Sequence, residues 1–107
     1  MINYDDFAKL DIRIGTILEA EKIPEGDKLL KLKINIGEEE RQVLAGIAEF
    51  KTNLEELVGK QIPVLVNLEP RMLRGYESQG MILATGDGES FALLHPEKEV
   101  KPGSQVK

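Results

Sequence analysis

The chain has 107 residues, 41% of them hydrophobic and 31% charged, with a net charge of −5, no cysteine and one histidine. That length fits one domain over 1–107, able to bury roughly two-thirds of its unfolded surface. The missing cysteines exclude disulfides and thiolate metal sites and suit the cytoplasm, no run reaches the roughly 18 apolar residues of a membrane span, and the acidic start MINYDDFAK does not read as a signal peptide.

Residues 3–9 predict a short helix capped by Asn3, with Asp5 and Asp6 in the first turn, where the helix dipole favours negative charge. From Leu10 the period becomes two. Leu10, Ile12, Ile14, Thr16, Leu18 and Ala20 share one face, and Asp11, Arg13, Glu19 and Glu21 the other. This strand is long, and Gly15 near its middle predicts a bulge or bend of the kind that curls a strand around a small barrel. PEGD at 24–27 predicts a turn. The following KLLKLKINIG places Leu30, Leu32, Ile34 and Ile36 on one face and Lys31, Lys33 and Asn35 on the other. The acidic run at 38–40 connects this hairpin to a third strand at 41–48. Thr52 or Asn53 caps a short helix, LEELV, stopped by Gly59. Residues 61–68 form a fourth strand, which Pro63 places at an edge or near a strand start. NLEPRMLRGYESQGM at 67–81 reads as a loop rich in unusual residues. GMILAT reads as a buried strand, GDG at 86–88 as a hairpin turn, SFALLHP as a further strand and KPGSQV as a short closing strand.

Strands outnumber helices, and no βαβ alternation calls for a parallel sheet. The order predicts an all-β, five-stranded Greek-key barrel with a short helix between strands three and four, the OB-fold arrangement, extended by an N-terminal helix and a C-terminal strand.

Enzyme chemistry finds little support. The one histidine, His95, precedes a proline at a strand end and reads as a surface or hydrogen-bonding residue. Neither a zinc site nor a Cys–His pair can be built from it, and no Walker loop or nucleophile elbow is present. No catalysis, cofactor or metal is expected. The net charge weighs against nucleic acid, yet Lys28, Lys31 and Lys33 form one local basic group and Arg71 and Arg74 a second, so an anionic partner stays open.

The segments DIRIGTI, DKLLKL, VLAGI and ESQGM, in that order, together with NLEPR, resemble the tRNA-binding domain family over nearly the whole chain. This domain occurs as a free-standing dimeric protein and as the C-terminal appendage of many methionyl-tRNA synthetases, and it is similar to the endothelial monocyte-activating polypeptide domain. The resemblance implies an OB-fold that binds tRNA by shape, a homodimer, and a possible synthetase partner. It implies a groove formed here by Arg13, Lys28, Lys31 and Lys33, by Asn67, Pro70 and Arg71, and by Arg74, Ser78, Gln79, Gly80 and Met81. Glu69 and Met72 stand where the family usually carries basic residues, which removes positive charge from the expected binding loop.

On their own pattern, several of these residues keep two readings. Lys31 and Lys33 lie about 7 Å apart on a strand face, near the spacing of successive phosphates, but lysines also protect sheet edges. Arg71 and Arg74 suit phosphate or base contact, or pairing with Glu69 and Glu77. Tyr76 is either a stacking platform or an anchor on Leu73. With five aromatic residues and no tryptophan, the chain lacks the platforms on which single-strand binders stack bases, which favours structured RNA. The competing function is a protein-interaction module, used for dimerisation or docking or as an export-chaperone-like binder. Ile2, Phe7, Val100 and Val106 are the expected apolar contacts of a dimer.

Overall fold

The computed structural model describes residues 1–24 and 26–107. In chain order the elements are α1 (Tyr4–Phe7), β1 (Ile12–Ile23), β2 (Gly26–Asn35), β3 (Glu40–Ala45), a 3-10 turn (Leu54–Glu56), β4 (Gln61–Leu65), β5 (Arg71–Leu73), β6 (Tyr76–Ser78), β7 (Met81–Ile82), β8 (Ala84–Thr85), a second 3-10 turn (Gly88–Ser90) and β9 (Ala92–Leu93). Asn3 caps α1 as expected, in a reciprocal pair of hydrogen bonds with Asp6. The predicted PEGD turn includes Glu25, which lies outside the described residues.

Five strands form one antiparallel sheet in the order β3-β2-β1-β4-β7. The curl comes from the length of β1, whose two halves belong to different parts of the sheet. Residues 12–16 pair with β4, and Thr16 onward pairs with β2. On its other side the first half is covered by the C-terminal segment: Ile14 N–H donates to Ser104 O, and Gly103 and Val106 N–H donate to Ile14 O and Ile12 O. The register shift lies between Ile17 and Glu19 rather than at Gly15. This bulge reverses the alternation, so Ile17 faces the core before it and Ala20 packs against the core after it. Gly15 has a different task. It faces the core, where a Cβ would overlap Ile34 Cγ2, so its absent side chain lets β1 and β2 lie close.

The core holds Ile17, Leu30, Leu32, Ile34, Val43, Leu57, Ile62 and Val64, all nearly solvent-free. Leu57, from the expected helical segment, plugs one end, although that segment makes a single 3-10 turn. Pro63 sits within β4, which has neighbours on both sides. Its carbonyl accepts from Leu83 N–H on the β7 side, where regular pairing stops at Val64 with Ile82. Proline's missing donor thus falls where the ladder has ended.

The expected buried strand GMILAT is split. Met81 and Ile82 pair with β4, whereas Ala84 and Thr85 pair with β9, and Met81, Ala84 and Thr85 are exposed. The chain changes partners at Leu83, so no residue run stays covered on both faces.

The barrel closes between β3 and the β6–β7 segment without a regular ladder. Gln79 N–H donates to Gln42 O at 2.8 Å, and Gln79 Oε1 accepts from Gln42 N–H at 3.0 Å. Ser78 Oγ accepts from Leu44 N–H at 3.0 Å. Arg41 Nη1 donates to the carbonyls of Val66 and Gln79, at 2.5 and 3.2 Å. Side chains here satisfy backbone groups that a neighbouring strand would otherwise satisfy. The result is an OB-fold.

Candidate nucleic-acid interface

Within the expected loop at 67–81, residues 71–78 form a β-ribbon, flanked by irregular chain at 67–70 and 79–80. β5 pairs with β6 in register Arg71–Ser78, Met72–Glu77 and Leu73–Tyr76. The turn between them is Arg74–Gly75, with φ of 52° and 84°. Positive φ at both central residues is the two-residue hairpin turn that matches strand twist. Arg74 is the one non-glycine residue with positive φ among the described residues. Arginine is an unusual choice there, since Asn, Asp and Gly adopt this conformation at lower cost.

The ribbon joins the fourth barrel strand to the fifth and lies beside β3. It covers Leu44, which is 7% exposed although it points away from the core. Leu44, Leu68, Leu73 and Met81 line a small cavity of about 80 Å³ beneath it. Lys31 is paired with Leu44 in the sheet, and its Nζ lies 5.1 Å from the Tyr76 ring centroid. This cation–π contact joins β2 to the ribbon. Tyr76 stands opposite Leu73 in the ribbon, and its aromatic face already carries a cation.

A groove of about 420 Å³ runs beside the ribbon, lined by Lys31, Lys33, Glu19, Glu21, Glu40, Arg41, Gln42 and Gln79. The antiparallel register sets Glu21 directly opposite Lys31 and Glu19 opposite Lys33. The Lys31 ammonium lies 3.8 Å from Glu21 Oε2. The Lys33 ammonium lies 3.0 Å from Glu19 and 3.8 Å from Glu40. The contact with Glu19, with Glu40 behind it, raises the pKa of Lys33 above its ordinary value. The groove is thus a charge-compensated surface, not the basic one expected.

Arg71 and Arg74 differ. Both are exposed and neither has an ion-pair partner among the described residues, so the alternative reading, pairing with Glu69 and Glu77, does not occur there. Lys28 and Pro70 are exposed. Arg13 stands apart, toward the start of β1. Its guanidinium forks onto Asp11 at 3.0 and 3.1 Å, which raises its pKa.

Among the neutral members of the expected set, Asn67, Ser78 and Gly80, and Gln79 through its oxygen, are committed to the fold. Asn67 Oδ1 accepts from Asp11 N–H and its Nδ2 donates to Lys9 O, tying the N-terminal segment to the end of β4. Ser78 is 6% exposed, with its hydroxyl shared between Leu44 N–H and Gly80 O. Gln79 uses its oxygen for barrel closure, while its amide nitrogen has no partner among the described residues. Gly80 permits a close backbone approach as expected, but the backbone is its own: a Cβ would lie 3.0 Å from Leu65 O. Met81 is 45% exposed. Sequence reasoning missed Arg41 and the three glutamates. The alternation of both strands had put Glu19, Glu21, Lys31 and Lys33 on polar faces; only the register brings them together.

His95 lies elsewhere, its Nδ1 2.7 Å from Gln61 O. No group of three or more acidic or histidine side chains suited to a metal occurs among the described residues, and no helix there is long and apolar enough to cross a membrane.

The family model described as "Putative tRNA binding domain" matches residues 12–105. The chain is 47% identical over 106 residues to a methionine–tRNA ligase of Thermococcus kodakarensis, covering 99% of this chain. It spans 14–16% of the length of the curated ligases it matches. Among solved structures it resembles a MetRS-related protein of Pyrococcus horikoshii, with a TM-score of 0.92 and 36% identity over 100% of this chain and 98% of that one. It also resembles the chaperone CsaA of Bacillus anthracis, with a TM-score of 0.89 and 34% identity over 100% and 99% of the two chains. The chain belongs to the tRNA-binding domain family.

Proposed function

We propose that residues 1–107 form a non-catalytic domain that binds tRNA by its folded shape, acting as a homodimer in the cytoplasm. It works either free-standing or as the C-terminal appendage or β chain of a methionyl-tRNA synthetase. Family membership supports the ligand class, and the ligase relatives support the synthetase association. Catalysis belongs to other parts of such a synthetase.

One observation carries the location of the site. The ribbon presents Arg71 and Arg74 without ion-pair partners among the described residues, beside Lys31, Lys33 and Tyr76. The face of strands two and three and the connection between strands four and five are the surfaces on which OB-folds take up oligonucleotides. Arginine forks onto phosphate or stacks on a base. Among the described residues, Tyr76 is the one aromatic side chain that makes a cation–π contact with this groove's lysines; Phe50 and Phe91 stack on each other against the core. A surface with so little stacking area reads backbone shape rather than a run of unpaired bases. A dimer sets two weak sites on one RNA, and the second contact gains from effective concentration.

The protein-interaction reading draws on the exposed Ile2, Tyr4, Leu10, Leu68, Met72 and Met81. Titration of unacylated tRNA at low salt separates the two. Binding that weakens about tenfold or more in Arg71→Ala/Arg74→Ala, each arginine being a charge-assisted phosphate contact, supports the RNA site. No binding by the unaltered chain at low salt rejects it.

A further inference from the structure

The groove lysines are occupied before any ligand arrives. Two ammonium groups, on Lys31 and Lys33, face three carboxylates, on Glu19, Glu21 and Glu40, at 3.0–3.8 Å. This patch alone has a net charge of −1. Arg41, at its margin, is held by Glu39 at 2.8 Å and by two backbone carbonyls.

We propose that Glu19, Glu21 and Glu40 act as built-in competitors for RNA phosphates, so that the groove admits only a backbone placing phosphates where they displace these carboxylates from both lysines. This rests on the tRNA-binding reading above and concerns how that site selects its ligand. The physical reason is an exchange. A phosphate approaching Lys33 replaces the Glu19 oxygen at 3.0 Å with one of its own, so one charged contact is traded for another. The gain is small unless the two lysines, held on one strand face, are met together. A neutralised patch also exerts little long-range pull on polyanions at large. Steering and initial anchoring then fall to Arg71 and Arg74 on the ribbon, and the glutamates reject ligands that supply charge without geometry.

Salt dependence gives a readout specific to this arrangement. Counterion release follows the charge a protein neutralises, with about 0.7–0.9 ions per phosphate. The compensated patch adds nothing in net to that count, whereas the same patch without its carboxylates adds two cations.

The test compares the full chain with Glu19→Gln/Glu21→Gln/Glu40→Gln, using unacylated tRNA and poly(U) as ligands across a salt series. Glutamine keeps the shape of glutamate, and a thermal melt checks the fold. Single Glu21→Gln, which releases Lys31 alone, serves if the triple variant does not fold. A control variant neutralises Glu89, Glu97 and Glu99, none of which lines the groove. The expected result is tRNA affinity about tenfold higher at low salt, a log–log salt slope steeper by about 1.4 to 1.8, a larger gain for poly(U) than for tRNA, and little change in the control. If the unaltered chain binds tRNA and the triple variant binds no tighter or with the same slope, the competitor role is overturned while the tRNA site stands. If the control gains as much as the triple variant, general charge is responsible and the inference fails. If neither chain binds tRNA at the lowest salt, the tRNA-binding reading itself fails.

Discussion

Arg74 concentrates the functional argument at the scale of single residues. It holds φ at 52° in a two-residue turn, where asparagine or glycine would be easier. A left-handed conformation costs most L-residues about 1–2 kcal/mol, and no ion pair of its guanidinium among the described residues offsets that cost. Strain kept at an exposed tip points to a contact outside the chain. Arg74→Asn should therefore move two observables in opposite directions. Urea unfolding should show stability raised by up to about 1 kcal/mol, while tRNA affinity falls. A loss of stability would mean that the side chain supports the fold. The arginine itself is legible in the sequence, but its turn conformation is not, because the RG pair lacks the Asn or Asp that usually marks such a turn. Similarly, Ser78 and Gln79 were legible as unusual polar residues ahead of a strand. Their task was hidden, because it depends on β3 lying alongside, far away in sequence.

At the scale of elements, the central feature is a barrel seam closed by side chains. Leu44 N–H would be an orphan donor on the β3 edge without Ser78 Oγ. Leaving a buried donor unsatisfied costs about 1–3 kcal/mol. Ser78→Ala should lower stability by that amount, and hydrogen exchange should show the Leu44 amide losing protection while the Leu32 and Val43 amides, deeper in the sheet, keep most of theirs. Unchanged exchange at Leu44 would mean that the seam is held by Gln42, Gln79 and Arg41 alone. The regular hairpin of β1, β2 and β3 was readable from alternation, since period-two patterns survive whatever packs around them. Glycine is the usual mark of a bulge or bend, which points to Gly15, yet the register shift falls at Leu18, just past Thr16, where β1 passes from one partner strand to the other. The 80–85 segment misleads for a related reason. Its apolar run reflects two short pairings with different partners, which resemble one buried strand in sequence.

At the scale of the whole molecule, the overall charge and the local site pull in opposite directions. A net charge of −5 repels RNA at a distance, and the groove beside the ribbon adds no net positive charge. On the proposed reading, two copies acting on one tRNA would offset this deficit. Of the four apolar residues expected at a dimer contact, Ile2 is exposed, and Phe7, Val100 and Val106 are half-buried, with Tyr4 and Leu10 exposed in the same N-terminal segment. Light scattering at micromolar concentration should report twice the chain mass. A monomer would remove the two-site gain and leave a single, weak interface.

The most direct test of the central claim, that tRNA is held by the ribbon and the β2 lysine face, is a titration of isotope-labelled protein with tRNA at low salt, followed by backbone and arginine side-chain NMR. The predicted result is a set of shifts concentrated at Lys31, Lys33, Arg71, Arg74 and Tyr76, with Arg13 and His95 unmoved. Shifts centred on the N-terminal helix and the C-terminal segment, or none at all, would contradict it.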